Sequence, residues 1–220
     1  MHLIDFPLPD LFLYFSIFLS SATLLFALLT APWKALLKVQ QRQHLFFAAI
    51  IVLVILWSIK ITWVKGFFLH PMGITAVTII FGWRLAIILG ALVILAFELL
   101  HYRSWDTMPV DFIFTVIVPA TITYAMVHLI HSWRSRNLFL FLLGAGFIGA
   151  MLGFLTDLGI IVLLAAMLDQ QLFLSRLAHE FPIVIMLLNV EGFLNGAVVT
   201  ALSVFAPHLV KSFDDVKYLG

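Results

Sequence analysis

Apolar runs separated by short polar intervals fill almost the whole chain. A helix needs about 20 apolar residues to cross the hydrocarbon core of a bilayer. Membrane-spanning helices are therefore predicted over 11–31, 45–64, 85–100, 110–130, 138–168 and 181–205. Pro7 and Pro9 keep the lead-in to the first run out of a helix. The run 138–168 is long enough to span with a tilt or a kink. Gly66 and the sequence His70-Pro71-Met72-Gly73 break the chain before a short apolar piece, 74–81, and Gly82-Trp83-Arg84 interrupts it again. Counting that piece as a crossing gives seven.

Basic residues test the count, because cytoplasmic loops of membrane proteins are enriched in Lys and Arg. With seven crossings and the N-terminus outside, Lys34, Lys38, Arg42, Arg84, Arg134, Arg136, Lys211 and Lys217 fall inside. Lys65, Arg103 and Arg176 fall outside, and Lys60 sits within a span. Six crossings would divide the basic loops less cleanly. The expected fold is an all-α polytopic bundle of about seven transmembrane helices, with 1–220 a single membrane domain and the C-terminus inside.

Composition agrees. Hydrophobic residues make up 64% of the 220 and charged residues only 10%, against about 25% charged in soluble domains. A net charge of +1 argues against nucleic acid as a partner. The absence of cysteine removes disulfides and thiolate metal sites, leaving His, carboxylates and backbone as ligands. No basic n-region opens the chain, so no cleavable signal peptide is expected.

Two segments then stand out, 1–10 and 65–82. A free amine at Met1, the Met1–His2 amide nitrogen and the His2 imidazole can close two fused chelate rings on one ion. A second imidazole would complete the planar N4 set that divalent nickel or copper favours, and His70 is the candidate. The dipeptide alone is compatible with chance, but the topology puts Met1, His2 and the His70 loop on the same, external side.

The same residues carry a resemblance. The opening Met1-His2-Leu3-Ile4-Asp5, the run His70-Pro71-Met72-Gly73 with Thr75 and Phe81-Gly82, and the late Glu191-Gly192 resemble the CbiM/NikM family. So do the helix rich in Gly144, Gly146, Gly149 and Gly153 and the tail Ser212-Phe213-Asp214-Asp215. That family comprises the substrate-binding membrane subunits of energy-coupling-factor transporters for cobalt and nickel. The resemblance implies a seven-helix subunit whose N-terminus tucks into the bundle from outside. It implies metal ligation by the Met1 amine, the His2 amide and imidazole nitrogens, and His70. Implied partners are a transmembrane coupling subunit, cytosolic ATPases and a small accessory membrane subunit, in a bacterial inner membrane. The bound Ni2+ or Co2+ is then cargo, and no intrinsic cofactor is expected.

Other polar residues carry two readings each. Asp5 is either a carboxylate fixing a ligating imidazole or a cap on the lead-in turn. Asp111, at the outer end of a span, either faces the site or simply suits a helix N-terminus. Glu98 and His101 share a helix face, as metal ligands or as an interfacial pair. Asp157, Glu191 and Asn195 lie inside the bilayer, where ionisable groups mark function or hydrogen bonds glue helices; Lys60 is a candidate partner for one of the acids. Ser16, Ser20, Ala27 and Ala31 give the first helix small-residue spacings that suit either a coupling-subunit contact or internal packing.

The expected function is capture of nickel or cobalt for ATP-driven uptake. The chain has no Walker A motif, so ATP hydrolysis would belong to partners. The rivals are a solitary metal permease or sensor, and an intramembrane hydrolase built on Asp157, Glu191 and His101.

Overall fold

The fold comes from a computed structural model. It describes all residues except 1, 4–7, 60, 65–66, 102–104, 134–136, 214–217 and 219–220, and gives the backbone alone at 2–3, 61–64 and 67–69. The early elements are β1 (His2–Leu3), α1 (Asp10–Thr30), α2 (Trp33–Leu37), α3 (Gln40–Ser58), β2 (Ile61–Val64) and β3 (Phe67–Leu69). Then come α4 (Ile74–Phe81) and α5 (Trp83–His101). The next span is built of α6 (Met108–Phe112), a π-helical turn (Ile113–Ile117) and α7 (Val118–Ser132). A π-helical stretch (Leu140–Ile148) runs into α8 (Gly149–Met167), followed by α9 (Gln171–His179) and α10 (Phe181–Phe205).

Six helical segments are long and apolar enough to span a membrane: α1, α3, α5, Met108–Ser132, Leu140–Met167 and α10. The chain is a polytopic helical bundle. Its apolar surface is what lipid would cover, with Phe18, Leu29, Ile51, Ile55 and Phe193 all exposed. The π turn precedes Pro119, whose ring removes one backbone donor from the helix; the wider turn takes up that lost bond.

The second predicted run, 45–64, is cut short. Helix α3 ends at Ser58, Ile59 is extended (φ −79°, ψ 90°), and 61–64 forms β2. Ile61-Thr62-Trp63-Val64 is β-branched and aromatic, which fits a strand better than a helix end. β3 lies between β1 and β2, antiparallel to both. The short helices α2 and α9 were not foreseen either; α9 buries Phe173 and Leu177, one turn apart.

The short apolar piece 74–81 is helix α4, and all eight of its residues are buried. It packs against α5, α7, α8 and α10. Eight residues rise only about 12 Å, well short of the ~30 Å hydrocarbon core. α4 nevertheless returns the chain from the sheet to the opposite end of the bundle, where Lys211 N–H and Ser212 N–H in the tail donate to the Ile80 and Ile79 carbonyls at 2.8 and 3.2 Å. That return is completed by irregular backbone, 70–73, sunk into the bundle. Such backbone is tolerated at membrane depth only where protein surrounds it. His70, Met72 and Gly73 are all buried.

Candidate metal centre

Sinking 70–73 into the bundle strands polar backbone, and the neighbouring helices supply its partners. Glu191 and Asn195 stand one turn apart on α10, both buried. Met72 N–H donates to Glu191 Oε2 at 2.6 Å, and Gly73 N–H to Oε1 at 3.0 Å. Asn195 Nδ2 donates to the same Oε1 at 2.7 Å, while its Oδ1 accepts Ala76 N–H at 2.8 Å. α10 therefore caps the N-terminus of α4, whose first-turn N–H groups have no partner within the helix. From α3, Trp57 Nε1–H donates to the Met72 carbonyl at 2.9 Å. Gly73 adopts φ 69°, the left-handed conformation that turns the loop into the helix.

The clamp fixes His70. Its Nδ1 lies 3.0 Å from the Pro71 carbonyl. A carbonyl only accepts, so Nδ1 carries the proton and the imidazole lone pair is on Nε2. A histidine whose other nitrogen donates to a backbone carbonyl is oriented as metal-ligating histidines are. The Trp57 ring backs the imidazole, centroids 5.3 Å apart and planes at 42°.

The N-terminal strand comes to the same place. β1 pairs with β3 in the register His2 opposite Phe68 and Leu3 opposite Phe67, so its leading end faces the His70 end of β3. β1 also contacts α6, where Asp111 is fully buried. Met1, Asp5 and the side chain of His2 lie outside the described residues, as does Lys60. Among the described residues no three or more His, Asp or Glu cluster as a metal site. His70, Asp111 and Glu191 are the predicted residues that the structure describes around this loop.

Of the other candidates, Thr75 and Asp157 lie close to the clamp, whereas Glu98 and His101 stand on α5. Thr75, on the first turn of α4, lies 2.8 Å from Thr123 Oγ1, and Thr123 donates its own proton to the Pro119 carbonyl at 2.8 Å. Thr75 is therefore the donor, binding α4 to α7. His101 stacks on Phe97 at 4.3 Å, with Nδ1 3.0 Å from the Phe97 carbonyl. Glu98 is buried one turn before it. Asp157 is fully buried on α8 within electrostatic reach of Glu191. On α1 the small residues point inward: Ser16 and Ala27 are fully buried, and Ser20 Oγ donates to the Pro109 carbonyl at 2.8 Å. Internal packing, not an exposed docking stripe, explains them.

Sequence reasoning missed Trp57 and Thr123. Neither sits in a motif. The available hint for Trp57 was an indole N–H inside an apolar run, which when buried needs an acceptor.

No curated protein matches the chain. A family model, the cobalt uptake substrate-specific transmembrane region, matches residues 7–209. The match takes in His70, the α4 clamp and Glu191, and begins just after the segment that bears His2. Since it covers nearly the whole chain, the protein belongs to the CbiM family of cobalt-uptake substrate-specific membrane components.

Proposed function

We propose that the chain captures a divalent nickel or cobalt ion on the external side of the bacterial inner membrane and acts as the substrate-specific subunit of an energy-coupling-factor transporter. The observation that carries the proposal is the Glu191–Asn195 clamp. It spends a buried carboxylate and amide on holding a backbone loop whose product is one oriented, buried imidazole, His70.

The proposed ligands are the Met1 amine, the His2 amide and imidazole nitrogens, and His70 Nε2. Two histidines suffice because backbone supplies the other two nitrogens. Such a set favours square-planar divalent ions, and geometry and availability must choose among them, since copper binds N ligands most tightly in this series. Asp5 and Asp111 are proposed to orient the imidazoles from outside the ligand set. Transport energy would come from a transmembrane coupling subunit with cytosolic ATPases, assisted by a small accessory membrane subunit. Binding should be coupled to them through α4, which joins the His70 loop to the tail at the other end of the bundle.

The deciding experiment compares nickel and cobalt binding by the purified protein and by His2→Gln. The substitution keeps a bulky second residue after Met1 and leaves the amine and amide in place, while removing the imidazole that closes the second chelate ring. Binding by the native chain alone supports the proposal; equal binding, or none by either, refutes it.

A further inference from the structure

The end of the bundle away from His70 gathers cations. Lys211 is fixed there by its own backbone, which caps the C-terminus of α4. Its side chain lies back across Gly82, so closely that a Cβ on Gly82 would come within 2.7 Å of Nζ. Arg42, at the start of α3, donates to the His208 carbonyl at 3.2 Å. Arg42 and Lys211 together line a cavity of about 70 Å³ whose other walls include Leu36, Phe81 and Leu85. Arg84, at the start of α5, is exposed nearby. Burial, and then the charges of Arg84 and Arg42, hold Lys211 below the ordinary lysine value. Among the described residues no carboxylate pairs with any of the three.

Two cations on the wall of one cavity, with a third nearby, set up a positive potential that favours an anion. The site's position limits what that anion can be. α1 and α4 end here and α3 and α5 begin here, with Trp33 and Trp83 alongside. Tryptophan marks the headgroup level of a bilayer. The cavity is too small for a helix or a loop, and its apolar walls do not suit a fully hydrated anion.

We propose that this cleft binds the headgroup of an anionic phospholipid, with Lys211, Arg42 and Arg84 around its phosphodiester and Leu36, Phe81 and Leu85 against the start of its acyl chains. Basic pockets between transmembrane helices recognise lipid headgroups in this way. The proposal rests on the membrane-spanning fold and not on the metal site.

The test titrates full-length protein in neutral detergent with phosphatidylglycerol or phosphatidylcholine, counting bound lipid by native mass spectrometry. Phosphatidylglycerol should bind several-fold more tightly than phosphatidylcholine. Lys211→Gln and Arg42→Gln should each weaken it about fivefold, the worth of one basic residue at an anionic surface. Lys211→Arg should retain it, as should Arg176→Gln, which alters an exposed cation on α9 at the other end. Arg42→Gln gives the answer should Lys211→Gln fail to fold. Equal binding of the two lipids would overturn the proposal, as would an equal loss from Arg176→Gln. Displacement by millimolar inorganic phosphate would make this a free-anion site instead. Selective binding that emerges only after Asp214→Asn with Asp215→Asn would give the cleft to the chain's own tail. Either result would overturn the lipid assignment.

Discussion

Asn195 Nδ2 donates to Glu191 Oε1 across one turn of α10, 2.7 Å, and this bond sets which way round the Asn195 amide faces. With Nδ2 committed to Glu191, Oδ1 is left to accept the Ala76 N–H. Two side chains on one helix thus become an acceptor array for three backbone donors of another segment, Met72, Gly73 and Ala76.

Glu191→Gln should be more damaging than its near-identical shape suggests. The carboxylate receives donors on both oxygens, from Met72 on one and from Gly73 and Asn195 on the other. A glutamine amide offers one acceptor oxygen and turns its NH2 toward a donor. A buried donor left without a partner costs about 1–3 kcal/mol. Thermal unfolding in detergent should show that loss, and an unchanged midpoint would mean the clamp contributes nothing.

The bundle was legible because lipid imposes a crude rule. Runs of the right length and apolarity became spans, and 181–205 coincides with α10. What failed was local. Gly66 and the His-Pro-Met-Gly turn signalled a break, and the β-branched, aromatic run 61–64 suits a strand, but nothing local showed that it would pair with 67–69 or that 67–69 would pair with 2–3. His70 and Glu191 could be singled out in sequence because each is a polar group in apolar surroundings. That they share a loop was not legible, since the bond from Met72 to Glu191 joins positions 119 apart. Trp57 escaped notice because its value lies in a long-range acceptor, the Met72 carbonyl.

Gly73→Ala should destabilise the turn into α4. The left-handed conformation costs an L-residue roughly 1–2 kcal/mol, and the new Cβ would fall 2.6 Å from Leu53 Cδ2 and 3.3 Å from Leu56 Cδ2. These are side-chain ends that can shift, so the conformational cost should dominate. Pairing the change with Leu53→Ala should fail to restore the melting temperature; full rescue would show that sterics were the cause.

Trp57→Phe separates loop geometry from ligand identity. It keeps an aromatic ring of the kind that backs His70 and removes the 2.9 Å bond to the Met72 carbonyl. Losing one hydrogen bond costs about 1 kcal/mol of stability, whereas a loosened metal ligand lowers affinity by about tenfold or more. Nickel binding should therefore suffer more than unfolding does. A fall in stability with affinity intact would make Trp57 a packing residue only.

Asp157→Leu should stabilise the fold. Neither Asp157 oxygen has a hydrogen-bond partner among the described residues, although the side chain is fully buried. A buried polar group without a partner costs about 1–3 kcal/mol, and an apolar side chain of similar volume needs no partner. The melting temperature should rise by a few degrees. A fall would show that Asp157 has a partner the bundle depends on.

The proposed ligand set also fixes a proton count. Metal binding requires a neutral amine, a deprotonated amide and neutral imidazoles, and each proton displaced steepens the pH dependence. An ordinary α-amino group titrates at about 7.7–8.0 and histidine near 6.5. Between those values the amine is protonated and the imidazoles are largely neutral. Two protons, one from the amine and one from the amide, then leave for each ion bound, and affinity should fall about a hundredfold per pH unit. Below pH ~6.5 the imidazoles add to the loss. Calorimetry at pH 7 in buffers of different ionisation enthalpy reads the number directly. Two protons support the N-terminal chelator, whereas none would mean that neither the amine nor the amide is a ligand and that His70 binds in other company.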